Sequence, residues 1–220
     1  MIGETYMPDQ FVEAKYDRRR LVGFFGVLAA FGCGAPRAAD SPAPALPLPV
    51  TVMLGVEVVV YPLTMILGEA ELAWDDLLLP RDSALRVADS LLAAALTERT
   101  PEVTWVLPAE LRRVARGAPG LLIDPDRMAT ATLRYNLAKI PDPLRSQMRS
   151  LTGAVGDRLS LVPASLLFYR EEDGTGRAEL TIVLADVRLG DIWWRSVVTG
   201  NGADPWTALR EALETLAPVL

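Results

Sequence analysis

The chain has 220 residues, half of them hydrophobic, with 22 basic and 28 acidic side chains, a formal net charge of −6, one cysteine and no histidine. That is enough apolar material for one sizeable core, but with one cysteine there is no intramolecular disulfide. The missing histidine excludes Ser-His-Asp and Cys-His catalysis and removes the commonest transition-metal ligand, and an acidic balance with a single lysine after Cys33, Lys139, argues against nucleic acid, which needs a basic face.

Read from the start, Arg18, Arg19 and Arg20 precede an uncharged, mainly apolar run, Leu21 to Phe31, which ends at Gly32 and Cys33. As a helix those eleven residues reach roughly 16 Å, against roughly 30 Å of bilayer hydrocarbon. The run is too short to span and has the layout of a secretory signal. Its close, Ala30-Phe31-Gly32-Cys33, resembles the lipobox of bacterial lipoproteins, although Ala30 stands where that family prefers leucine and Phe31 is bulky for its place. The resemblance implies cleavage before Cys33 and acylation of its sulfur with palmitate-type chains, a membrane anchor. Seventeen residues precede the arginines, a long lead that a start at Met7 would shorten. Arg18 to Val22 also loosely matches a twin-arginine export signal. The expected division is a signal peptide over 1–32, a lipidated cysteine with a Pro/Ala-rich tether over 33–49, and one α/β domain over 50–220.

Pro36, Pro42, Pro44, Pro47 and Pro49 keep the tether out of helix. In polyproline II, at roughly 3.1 Å per residue, it would hold the domain up to about 50 Å from a membrane. Val50 to Val60 then reads as a first buried strand, broken at Tyr61-Pro62. Trp74-Asp75-Asp76 lies in a connection without clear period, running to Pro80. From Ser83 to Thr100 the spacing predicts a helix with Ala84, Val87, Ala88, Leu91, Leu92 and Ala95 on its buried face, and Arg86, Asp89, Ser90 and Thr97 on the other. Val103, Trp105 and Leu107 alternate with Thr104 and Val106 as a short strand. A brief helix follows over Ala109 to Arg116, stopped by Gly117 and Pro119.

Asp124-Pro125, Asp142-Pro143 and Asp204-Pro205 each place a carboxylate before a proline, the layout of a capped helix start. Leu144 to Val155 reads as a helix with Leu144, Met148, Leu151 and Val155 along one side. The period then switches to two over Leu159 to Tyr169, Arg177 to Leu189 and Ile192 to Thr199, with tight connections between them: an antiparallel meander. On its middle strand Ala178, Leu180, Ile182 and Leu184 share one face. Asp204 to Leu216 closes the chain as a helix with Trp206, Leu209, Ala212, Leu213 and Leu216 in one stripe. The expected fold class is α/β, a mixed sheet with a C-terminal three-strand meander and helices packed on it.

Candidate chemistry is sparse. No SxxK motif accompanies Lys139, and neither GxGxxG nor GxxxxGK[ST] occurs, so no cofactor is expected. Asp124 and Asp126 form a DxD pair without a third ligand nearby, which reads as helix capping. Asp75, Asp76, Glu171 and Glu172 are the acids available to a carboxylate-dependent hydrolase. Arg112, Arg113, Arg116, Arg127 and Arg134 could gather round an anion or lie on a solvated face. Trp105, Trp193 and Trp194 are candidate partner anchors or core residues.

The phrase Leu184-Ala185-Asp186-Val187-Arg188-Leu189-Gly190-Asp191-Ile192-Trp193-Trp194, with the order of elements around it, resembles the meander of the CsgG, LpoB and TolB N-terminal group of periplasmic domains. The resemblance covers most of Val50 to Leu220. It implies a lipid-anchored envelope protein, on the periplasmic face of the outer membrane, that binds other envelope proteins and is not an enzyme. The paired amphipathic hairpins of a secretion barrel are missing. A multimeric transport or secretion accessory and a carboxylate-dependent envelope hydrolase remain as alternatives, and the oligomeric state is open.

Overall fold

A computed structural model of the chain describes residues 45–155 and 158–217. The core of the architecture is a run of β-branched residues, Val58, Val59 and Val60, all fully buried. They form β1 (Glu57–Val60), and a strand apolar on both sides needs cover on both faces of its sheet. β1 runs parallel to β3 (Thr104–Val106) on one side and to β4 (Leu159–Arg170) on the other. β2 (Ile66–Gly68) takes over the same edge of β4 further along, pairing Ile66 with Leu166. β5 (Gly176–Asp186) and β6 (Asp191–Gly202) complete the meander antiparallel to β4, giving the order β3-β1-β4-β5-β6. The protein is thus α/β, with a mixed six-stranded sheet and an antiparallel C-terminal meander.

Alternation along the strands divides the core in two. Val58, Val60, Leu161, Leu180, Ile182 and Val198 face α2 (Arg81–Arg99) and α5 (Pro205–Leu216). Val59, Tyr61, Val162, Val183 and Ala185 face α3 (Pro108–Gly117) and α4 (Leu144–Val155). The meander positions Ala178, Leu180, Ile182 and Leu184 all point to the first layer, as their spacing predicts. Asp204 caps α5 by accepting from the backbone N–H groups of Trp206 and Thr207. α5 lies so close to β6 that a Cβ on Gly200 would stand 2.2 Å from the Ala212 nitrogen, and one on Gly202 2.4 Å from the Ala208 nitrogen.

Several expectations need correction. The strand predicted over Val50 to Val60 starts only at Glu57; Val50–Met53 is a 3-10 turn, and Gly55 at φ 75° breaks the extended backbone between them. The connection around Trp74 holds a 3-10 turn, Ala70–Leu72, and a one-turn helix α1 (Asp75–Leu78). The helix expected after Asp124-Pro125 is a pair of 3-10 turns, Pro125–Arg127 and Thr130–Arg134. Asp142 accepts from the Ser146 hydroxyl at 2.9 Å rather than from a backbone N–H. On α2 the buried stripe is Ala84, Ala88, Leu92 and Leu96; Val87 is exposed, and Asp89, expected in solvent, is buried.

Candidate protein-binding surface

Cys33, the arginines before it, the signal segment and the tether up to residue 44 lie outside the described residues. No helix among the described residues is long and apolar enough to cross a membrane.

The three tryptophans singled out by sequence separate. Trp105 sits half-buried in β3 against the α2 and α5 layer, its indole N–H donating to Thr100 Oγ1 at 3.2 Å. Trp194 is half-buried at the margin of the same layer. Trp193 is the odd one out. The β5–β6 register pairs Leu184 with Trp194 and then Ala185 with Ile192, so Trp193 is an extra residue in a bulge. Its side chain is 44% exposed, with the Arg158 guanidinium 5.8 Å from the ring centre.

The turn before it explains the phrase Leu184 to Trp194. Asp186 is fully buried, and its Oδ1 accepts from the Leu189 N–H at 2.9 Å. The Gly190 N–H bonds to the Asp186 carbonyl at 2.7 Å, and Gly190 takes φ 78°, the left-handed region that favours glycine. Aspartate, glycine and the tryptophan bulge are thus parts of one hairpin.

Residues 138–140 then brace the start of β6: the Ile192 N–H bonds to the Ala138 carbonyl at 3.0 Å, and Lys139 Nζ meets Asp191 Oδ1 at 2.7 Å. Between them and the bulge lies a groove of about 400 Å³ lined by Asn136, Leu137, Ala138, Ile192, Trp193, Trp194 and Arg195. Arg195 was not singled out by the sequence. Its Nε, Nη1 and Nη2 are shielded from solvent and have no hydrogen-bond partner. Burial pulls its pKa below the ordinary arginine value. The sequence gives no sign of this, because an arginine alternating with apolar residues on an edge strand looks solvated.

A second polar cluster lies on the α3 side. Asp89 accepts from the Leu63 N–H at 2.8 Å and is ion-paired with Arg112, whose guanidinium also binds Asp126 at 2.7 Å. Burial pushes the Asp89 carboxyl up to about 6, because desolvation outweighs what Leu63 and Arg112 return to it. Burial works against the Arg112 charge, but its bonds to Asp126 and Asp89 outweigh that, so Arg112 is raised as well and keeps its charge more firmly than a free arginine. Arg112, Arg116, Arg86, Asp124 and Asp126 line a groove of about 420 Å³ beside it. The five arginines weighed as an anion site do not converge: Arg113 turns to Glu110, and Arg134 stacks on Tyr135 at 4.4 Å.

Asp124 receives the Asp126 N–H, so the DxD pair is a turn cap, and no group of His, Cys, Asp or Glu among the described residues is placed to hold a metal ion. Asp75 and Asp76 are exposed on the first turn of α1. Glu171 pairs with Arg177 at 3.4 Å and Glu172 is exposed, both on a hairpin groove of about 630 Å³.

No protein-family model matches the sequence, and no curated protein does. Among solved structures it is similar to the PelC dodecamer from Paraburkholderia phytofirmans, at 16% identity over 80% of this chain and 94% of that one, with a TM-score of 0.36. It is similar to the LpoB C-terminal domain from Salmonella enterica at 18% identity, over 70% of this chain and 93% of that one, with a TM-score of 0.39. Lipoprotein GNA1162 from Neisseria meningitidis matches at 14% identity over 66% of this chain and 80% of its own, with a TM-score of 0.32. Likenesses of this size fix neither a family nor an activity.

Proposed function

We propose that this protein is a non-catalytic binding module of the bacterial envelope, anchored by a lipidated Cys33 to the periplasmic face of the outer membrane. In this reading residues 1–32 are removed on export, 33–49 form the tether and 50–220 the binding domain, whose partners are other envelope proteins. The anchoring half rests on the arginines, the short apolar run and the lipobox-like Ala30-Phe31-Gly32-Cys33. The single observation that carries the binding half is Trp193, a large indole held out of the core by a bulge at the mouth of the groove that Arg195 lines. A rigid exposed aromatic beside a buried, unpartnered guanidinium has the composition of an interface anchor.

The test is fractionation of cells producing the full chain. Wild type should sediment with outer membranes, and Cys33→Ala should move to the soluble periplasm or accumulate uncut. Equal membrane association of both forms contradicts the proposal.

A further inference from the structure

β6 is bonded to β5 along its whole inner edge, from Asp191 to Gly202. In an antiparallel ladder alternate residues direct their N–H and C=O to opposite sides of the strand. Two outward groups are identified by their bonds: the Ile192 N–H reaches Ala138, and the Asn201 N–H reaches Glu211 Oε2 at 2.9 Å. Stepping back from Asn201 in twos, the outward positions between them are Thr199, Val197 and Arg195, and the extra residue Trp193 restores the phase to Ile192. Among the described residues nothing bonds to the outward backbone groups of Arg195, Val197 and Thr199. The far side of the strand is an open template there.

The same stretch concentrates the unsatisfied polar atoms of the fold. Of seven buried side-chain atoms without a hydrogen-bond partner among the described residues, five belong to Trp194, Arg195 and Ser196. Buried donors are nearly always bonded in native proteins, and a buried charge without a counter-charge is costlier still. Arg195 shares its sheet face with Val197, Thr199 and Asn201, since these pair with Val183, Thr181, Glu179 and Arg177 in turn.

We propose that the outer edge of β6 accepts an extended segment of a partner protein as an added strand, and that a carboxylate of that segment pairs with Arg195. A residue opposite Arg195 in such a strand would stand about 5 Å away between Cβ atoms, within reach of an Asp or Glu. Main-chain bonds to Arg195, Val197 and Thr199 supply affinity, and the arginine supplies register and choice of partner. A symmetric pairing of β6 with a second copy does not meet this need. Positions 195, 197, 199 and 201 are Arg, Val, Thr and Asn, so no such pairing sets an acid opposite Arg195. This inference rests on the reading of the protein as a binding module and names the chemistry of its partner.

The test uses the full chain in detergent and a displayed library of random nonapeptides. Selected peptides should alternate in polarity and share one Asp or Glu. Binding should slow hydrogen exchange at the amides of Arg195, Val197 and Thr199. Arg195→Glu should weaken binding at least tenfold, with recovery when the peptide acid is changed to arginine. Val197→Pro removes an outward N–H that no internal bond uses, so it should abolish binding while the thermal midpoint stays near that of wild type. If Val197→Pro misfolds, the charge exchange at Arg195 decides alone. No selected binder, binders indifferent to Arg195→Glu, protection confined to another element, or light scattering showing only self-association through β6 would each overturn the inference. Cys33-dependent fractionation is unaffected by all four results, so failure here is distinguishable from failure of the anchoring.

Discussion

Replacing Asp89 by asparagine should change how the protein's stability depends on pH more than it changes the stability itself. The Asp89 carboxyl is buried against Leu63 and Arg112, and its pKa in the fold is about 6, against 3.8 for the free group. A carboxyl with a raised folded-state pKa holds its proton more tightly folded than unfolded. Its contribution therefore favours the fold at low pH and is lost as pH rises from the unfolded value through the folded one. Linkage over those two values gives a fall of about 2 kcal/mol in unfolding free energy between about pH 4.5 and about pH 7. Asparagine keeps an acceptor for the Leu63 N–H and cannot titrate, so this component should vanish. At about pH 7 relief from burying a charge is set against the lost bond to Arg112, on the order of 1–3 kcal/mol, so the net change there is small. Urea unfolding of both forms at several pH values reads the difference directly. The gap should move in favour of Asp89→Asn by about 2 kcal/mol as pH rises. Parallel curves, or a gap that moves the other way, would refute the burial account of Asp89.

Three further perturbations test the packing and the surface. Gly200→Val would drive a side chain into the backbone of α5, where even a Cβ stands 2.2 Å from the Ala212 nitrogen, and should cost about 3 kcal/mol or more by thermal or urea unfolding. Tyr61→Phe removes a buried hydroxyl that donates to the Met148 carbonyl at 2.9 Å and lies 2.9 Å from Thr152 Oγ1. It should cost about 1–2 kcal/mol in the same assay and loosen α4 in hydrogen exchange. Trp193→Ala, at an exposed bulge position, should shift stability by no more than about 0.5 kcal/mol and yet weaken any partner captured through β6 at least tenfold.

The elements with the strictest period were the most legible in the sequence. The first half of β5 alternates, β4 and the rest of β5 form long apolar runs between turn residues, and α4 keeps its apolar residues on one side, so these elements lie almost where the sequence puts them. α5 shows the same clarity, with Asp204 and Pro205 marking its start. α2 is different, because leucine and alanine occupy more than half of its circumference, and a wheel so broadly apolar allows several faces. The face chosen by contact with the sheet exposes Val87 and buries Asp89, where Leu63 and Arg112 from distant parts of the chain meet it. Val50 to Val60 misleads for another reason: its apolar content suits a strand, but Gly55 turns the backbone and only Glu57 to Val60 finds neighbours to pair with.

The candidate surface was half legible. Three tryptophans stood out by type, yet the register of β5 against β6 alone separates exposed Trp193 from half-buried Trp194 beside it. Arg195 carries no local signal at all. Its isolation follows from which strand lies at the edge of the sheet and how far residues 138–140 cover it, both consequences of long-range pairing.

Mass spectrometry of the protein extracted from native membranes puts the anchored-module account at greatest risk. The account expects a chain beginning at Cys33 and heavier than its sequence by the mass of attached acyl chains. An intact chain retaining residues 1–32, with a free thiol at Cys33, would contradict it.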